Sequence, residues 1–203
     1  MCAAVLTDAV KSIVPTLTHV VPSEDKGGIS AVASLDDDVF IMRRYSQEVE
    51  VYDAVTFTLQ RHITVCGLGA YTPGMTACAR NKCLYLSNYD DSRIHRVELA
   101  GSNATKKWSV TRHPRGLSVN IAHNLVVVCC EANKLQEYTT HGSRVRRIFM
   151  HAGVTKPWHA IQLSTGDYAV SQRTSPGVIS VVGVDGQVVY TATDSRGRQA
   201  LDR

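Results

Sequence analysis

Short apolar runs, separated by polar and turn-forming residues, recur along this chain in four groups that share one layout. Aligned on their first runs (Gly28-Ile29-Ser30, Gly74-Met75-Thr76, Gly116-Leu117-Ser118 and His159-Ala160-Ile161), the groups begin 46, 42 and 43 residues apart. The second runs are Val39-Phe40-Ile41-Met42, Cys83-Leu84-Tyr85-Leu86, Leu125-Val126-Val127-Val128 and Tyr168-Ala169-Val170. Third runs end at Tyr52, Val97, Tyr138 and Val182, which lie 24, 23, 22 and 23 residues after their starts. Each group therefore reads as four short strands held in register. Three groups are entered through a proline, Pro73, Pro114 or Pro157, where a connection must stop one strand and aim the next.

A period of about 40 to 50 residues with four strands per unit is the pattern of a β-propeller blade, whose sheet buries both faces only when neighbours stack on it. Leu125 to Cys130 is apolar without a break, as a strand covered on both faces should be. Val178-Ile179-Ser180-Val181-Val182 is nearly so. Outermost strands such as Lys106-Lys107-Trp108-Ser109-Val110 and Arg144-Val145-Arg146-Arg147-Ile148 mix charge with bulk, which protects an exposed edge from pairing with other molecules. A β-sandwich offers similar strand lengths but no reason for a constant unit length. The expected architecture is all-β, with four four-stranded antiparallel blades at about 28–72, 73–113, 114–156 and 157–203. Residues 1–27 form an N-terminal segment in which Thr16 to Val21 reads as a lone outer strand.

Hairpins between third and fourth strands end in glycine, at Gly101, Gly142 and Gly186, where the turn needs positive φ. The second unit carries Leu84-Tyr85-Leu86-Ser87-Asn88-Tyr89-Asp90-Asp91-Ser92-Arg93-Ile94, which resembles the NHL-repeat signature: an apolar strand ending in an acid or amide, a short polar loop, and an Arg-Ile pair opening the next strand. Asn88, Asp91, Arg93 and Ile94 occupy the matching positions, and the third unit shortens the motif to Glu131-Ala132-Asn133-Lys134-Leu135. The resemblance implies a ring that usually closes with six blades, so four blades imply part of a longer ring, with a compact four-bladed form as the alternative. An open ring would place Val39, Ile41, Val178 and Val181 in water and invite self-association through its open blade faces. The resemblance also implies a non-catalytic scaffold, as tripartite-motif proteins with NHL repeats bind proteins or RNA. The other class in view is a fragment of a six-bladed, metal-dependent lyase or lactonase.

Loops leaving the second strands and connectors between blades share one face of a propeller. On that face, counted with their neighbours, eight Arg or Lys stand against four Asp or Glu, an excess equal to the formal net charge of +4 for the whole chain. The candidate partner-binding residues are Arg43, Arg44, Tyr89, Arg93, Arg112, His113, Arg115, Lys156, Trp158 and Arg173. Cations with aromatic residues among them suit phosphate backbones and bases, or an acidic protein segment. The expected partners are thus a protein or acidic peptide and, as a second class, single-stranded RNA, with no membrane.

Catalytic chemistry finds little support. The eight histidines are scattered without HExxH, and only His159 stands at the start of an innermost strand, beside the channel, where Gly28, Gly74 and Gly116 offer no fellow ligands. Asp36-Asp37-Asp38 lacks the spacing of a calcium loop and reads as a hairpin turn. No metal, cofactor or catalytic residue is expected. The six cysteines lie mostly in strands without a CxxC pair, and Asp8 and Lys11 break the N-terminal apolar stretch, so the reading is a reducing, cytoplasmic location.

Overall fold

The computed structural model describes residues 28–69, 71, 74–101 and 103–193. Among these residues sixteen strands form four separate sheets. The first holds β1 (Ile29–Leu35), β2 (Asp38–Arg43), β3 (Glu48–Asp53) and β4 (Leu59–Thr64), and the second β5 (Met75–Cys78), β6 (Cys83–Asn88), β7 (Arg93–Glu98) and β8 (Thr105–Ser109). The third holds β9 (Pro114–Val119), β10 (Leu125–Cys129), β11 (Lys134–Tyr138) and β12 (Arg144–Phe149), and the fourth β13 (Pro157–Gln162), β14 (Tyr168–Gln172), β15 (Val178–Val182) and β16 (Val188–Thr193). Each sheet is an antiparallel meander in chain order. First strands stand side by side from sheet to sheet, β1 on β5, β5 on β9 and β9 on β13, so they line the centre and the fourth strands form the rim. These are the four blades of a β-propeller. The expected outer strand at Thr16 to Val21, Pro73 and the segment from Asp194 onward lie outside the described residues. No helix among the described residues is long and apolar enough to cross a membrane.

The pleat explains the uninterrupted apolar runs. Along β10, Leu125, Val127 and Cys129 point into the seam with the second blade, beside Cys83, Tyr85 and Ile94. Val126 and Val128 point the other way, against Tyr168, Val170 and Val182 of the fourth blade. All five β10 side chains are buried. A third apolar layer joins Phe40, Met42, Val49 and Val51 of the first blade to Met75, Leu84 and Leu86 of the second. Near the rim, Trp108 sits edge-on to Tyr85 at 6.2 Å and 6.3 Å from Tyr138, and the Tyr85 hydroxyl donates to Thr140 Oγ1 at 3.0 Å across the same seam.

The centre admits little side-chain bulk. A Cβ at Gly116 would come within 2.6 Å of His159 Cα, and one at Gly74 would strike the Arg115 carbonyl oxygen, so the small unit starts let neighbouring innermost strands approach closely. Hydroxyls use that approach: Ser118 Oγ donates to Ala160 O at 2.6 Å, and Ser87 Oγ accepts from Gly74 N at 2.9 Å while lying 3.1 Å from Arg115 O. The turns behave as their sequences require, with φ of +83, +88 and +87° at Gly101, Gly142 and Gly186.

In the second, third and fourth blades the last residue of the second strand clasps the connector entering its blade. Asn88 Nδ2 donates to Gly67 O at 3.0 Å, Cys129 Sγ lies 3.8 Å from Thr111 O, and Gln172 donates to Gly153 O at 3.3 Å while accepting from Thr155 N at 2.6 Å. Buried connector backbone thus finds partners that no sheet supplies. Asn88, the amide of the sequence signature, is one of these clasps.

The expectation that Val39, Ile41, Val178 and Val181 stand in water is corrected. Ile41 is only 2% exposed, and the other three are half-buried. Lateral neighbours decide this: Val181 lies in a row with Ala169 and Tyr190, and Ile41 in a row with Val32, Glu50 and His62. The exposed apolar residues of these faces include Ile29, Val32, Leu59, Ile161 and Tyr190 on first and last strands, and Ile179 between small residues.

Two outcomes test this packing. Val127→Asp places an unpaired carboxylate between two blades at a site with no exposed surface, and should cost on the order of 4 kcal/mol or more. A variant that melts with the parent would refute the seam. His95 shares a row with Leu86 of the core between the first two blades, is fully buried, and among the described residues neither ring nitrogen has a hydrogen-bond partner. Burial, helped by Lys107 and Arg93 and opposed by Asp91, holds its pKa below the usual histidine value. The unfolded chain takes up this proton near about pH 6.5, whereas the folded chain resists, so stability is complete above that pH and falls as pH drops toward the folded-state pKa. Thermal melts should show a lower Tm at pH 5 than at pH 7, with a shallower drop in His95→Leu.

Candidate partner-binding face

One end of the central channel collects side chains from two kinds of position: those just before or at the start of innermost strands, and those just after second strands. Tyr71, His113, Arg115 and Trp158 come from the first kind, and Tyr89, Glu131 and Arg173 from the second. The topology alone brings them together, because every blade turns in the same sense at this end.

Arg115 is the centre of the group. Its guanidinium carbon lies 4.6 Å from the Tyr89 ring centroid and 4.3 Å from that of Trp158, with Tyr71 at 5.9 Å. Arg173 packs on the same Trp158 ring at 5.2 Å. Tyr71 meets Tyr89 edge-on at 5.4 Å, and His113 lies over Tyr89 at 4.4 Å. Such contacts hold a cation through the ring quadrupole and leave its donors directed outward in the guanidinium plane. Among the described residues the Arg115 Nη atoms reach only the Tyr71 and Tyr89 hydroxyls, each at 3.4 Å, and its buried Nε has no partner.

Negative charge nearby is already engaged. Glu131 accepts from the Tyr89 hydroxyl at 3.0 Å and lies 3.2 Å from His113 Nε2, and Asp90 accepts from the Tyr71 backbone N–H at 3.3 Å. Burial first, and the bond to Glu131 second, push the Tyr89 hydroxyl above its ordinary pKa, so it stays a neutral donor. Among the described residues neither Arg115 nor Arg173 has a carboxylate within ion-pair distance.

The ten sequence-derived candidates divide accordingly. Tyr89, His113, Arg115, Trp158 and Arg173 form the cluster. Arg44, Arg112 and Lys156 are exposed and Arg93 is half-buried at the start of β7, none of them joined to the cluster by a hydrogen bond, ion pair or cation–π contact. Arg43 is corrected: it ends β2, is 4% exposed, and its Nε donates to Glu50 Oε1 at 2.9 Å, with the Tyr52 hydroxyl on the other Glu50 oxygen at 3.0 Å. Its charge is spent inside the first blade. Tyr71 and Glu131 also belong to the cluster and stand outside the ten candidates, though a connector and a loop after a second strand carry them to this same end.

Beyond Arg115 the channel wall is mostly aliphatic, with Ser34, Thr76 and Ser118 among it. A groove of about 370 Å³ is lined by Val32, Met75, Leu117, Val119, His159 and Ile161, and burial lowers the pKa of His159, which favours its neutral form. No three His, Cys, Asp or Glu side chains gather as a metal-binding group among the described residues.

Neither the family models nor the characterised protein sequences give a match to this chain. Solved structures do. Hydrazine synthase of Kuenenia stuttgartiensis is 16% identical with a TM-score of 0.68, over 88% of this chain and 53% of that one. A streptogramin B lyase is 10% identical with a TM-score of 0.67, over 82% and 55%. Virginiamycin B lyase from Staphylococcus aureus is 11% identical with a TM-score of 0.64, over 84% and 56%. At such identities the likeness is one of fold. The chain spans little more than half the length of these three structures.

Proposed function

We propose that this chain is a non-catalytic β-propeller module of NHL-like type that holds an anionic partner against the loop face around Arg115. One observation carries the reading: a guanidinium packed between Tyr89 and Trp158, with a second on the same indole, and no carboxylate within ion-pair distance of either among the described residues. Cations usually acquire partners within a fold when they are held this firmly. Exposed Arg44, Arg112 and Lys156 would add long-range attraction around this anchor, raising encounter rate more than affinity. A protein surface or acidic peptide is the leading partner, and single-stranded RNA the second class.

The enzyme reading draws on the lyases that share the fold, but at 10 and 11% identity they lend this chain architecture and no active-site residue. Metal analysis of the purified protein separates the two: stoichiometric divalent metal would favour the enzyme.

Binding to fluorescent acidic peptide and to oligouridylate, read by anisotropy, tests the face itself. Arg115→Glu with Arg173→Glu should weaken whichever probe binds by roughly 30-fold or more, while Lys106→Glu with Arg144→Glu at the opposite end should leave it within about twofold. Affinity should fall steeply between about 50 and 200 mM salt. Equal losses from both pairs would mean diffuse attraction without a site.

A further inference from the structure

The aromatic rings around Arg115 do not have the faces free that nucleic-acid binding requires; Tyr45, on the loop after β2 and 79% exposed, stands outside this cluster. A base-stacking platform needs exposed rings, on which successive bases lie flat. Here Tyr89 carries Arg115 at 4.6 Å and His113 at 4.4 Å, and Trp158 carries Arg115 at 4.3 Å and Arg173 at 5.2 Å. The remaining ring, Tyr71, is turned edge-on to Tyr89. These rings are used in positioning guanidinium groups, so what the site offers a ligand is the Nη pair of Arg115, whose bonds to the two tyrosine hydroxyls are long, beside the exposed Arg173. A base would have to displace a cation to stack.

We infer that the ligand is an acidic peptide segment whose neighbouring Asp or Glu carboxylates dock edge-on to Arg115 and Arg173; the inference rests on the anion-binding reading above and narrows it. A guanidinium fixed between rings loses little freedom on pairing, and its in-plane donors match the two oxygens of a carboxylate. Two cations on one indole also repel each other, and a pair of carboxylates entering beside them relieves that repulsion as it binds. Glu131 stands at the edge of this site but is drawn toward Tyr89 and His113, leaving both arginines to the partner. The apolar groove past Gly116, lined by Leu117, Met75 and His159, offers a place for an apolar residue next to the acidic ones. Arg115 is the specificity-determining residue in this arrangement, and Tyr89 and Trp158 position it.

The test compares a fluorescein-labelled, glutamate-rich peptide with an oligouridylate of equal net charge, on the whole chain and on variants shown by thermal melting to be folded. The peptide should bind more tightly than the RNA. Arg115→Lys keeps the charge but loses the fork and the fit between the rings, and should weaken the peptide about tenfold; Trp158→Leu should do so as well, by freeing both guanidinium groups. Unchanged peptide affinity in Arg115→Lys would overturn edge-on carboxylate recognition. If the oligouridylate binds more tightly and depends on Arg115 and Arg173, the carboxylate inference fails while the anion-binding face stands. If neither probe responds to Arg115→Glu with Arg173→Glu, the face itself is the wrong surface.

Discussion

A four-stranded sheet has two faces, and only another sheet can cover each of them. That requirement organises this protein. It makes β10 apolar at every position, since Val126 and Val128 serve one seam and Leu125, Val127 and Cys129 the other. It forces the first strands together at the centre, where Gly74 and Gly116 leave room that a side chain would fill with a clash. It also leaves the outermost strands as the only place where charge and bulk mix freely, as in Arg144 to Phe149.

Stacking alone does not hold the connectors, which leave one sheet at the rim and return to the centre of the next. Their polar backbone is met by side chains at the ends of second strands, Asn88, Cys129 and Gln172, each reaching the connector that enters its own blade. These residues differ in type but share a position. The signature amide at Asn88 is therefore explained by architecture, and no ligand is needed to account for it.

The same geometry builds the candidate site. Because each blade delivers its connector and its second-strand loop to one end, residues far apart in the chain, such as Tyr71, Glu131 and Arg173, meet around Arg115. Aromatic rings there hold cations in place, and the nearby acids are committed to other partners. The result is a fixed positive charge at the mouth of a mostly aliphatic channel. The likeness to the hydrazine synthase and the lyases, at 10 to 16% identity, is one of this frame, and a frame does not by itself carry a function.

The repeat was legible in the chain itself: unit spacing, strand positions and glycine-ended hairpins are local or periodic properties, and period and turn chemistry determine them before any packing forms. Which loops share an end was legible too, since loop order in a meander assigns them. What remained hidden depends on side chains meeting across blades. Arg43 looked like one more cation on the face, yet Glu50 and Tyr52 on the adjacent strand take up its charge, a pairing set by register. Ile41 and Val181 looked exposed, but neighbours in the same row cover Ile41 and partly cover Val181, which depends on the sizes of residues on the adjacent strands. Tyr89 and Trp158 read as surfaces for a ligand. Only the convergence of three blades showed that Arg115 and Arg173 already lie against those rings, because which ring face stays open is decided by inter-blade distances that no single segment encodes.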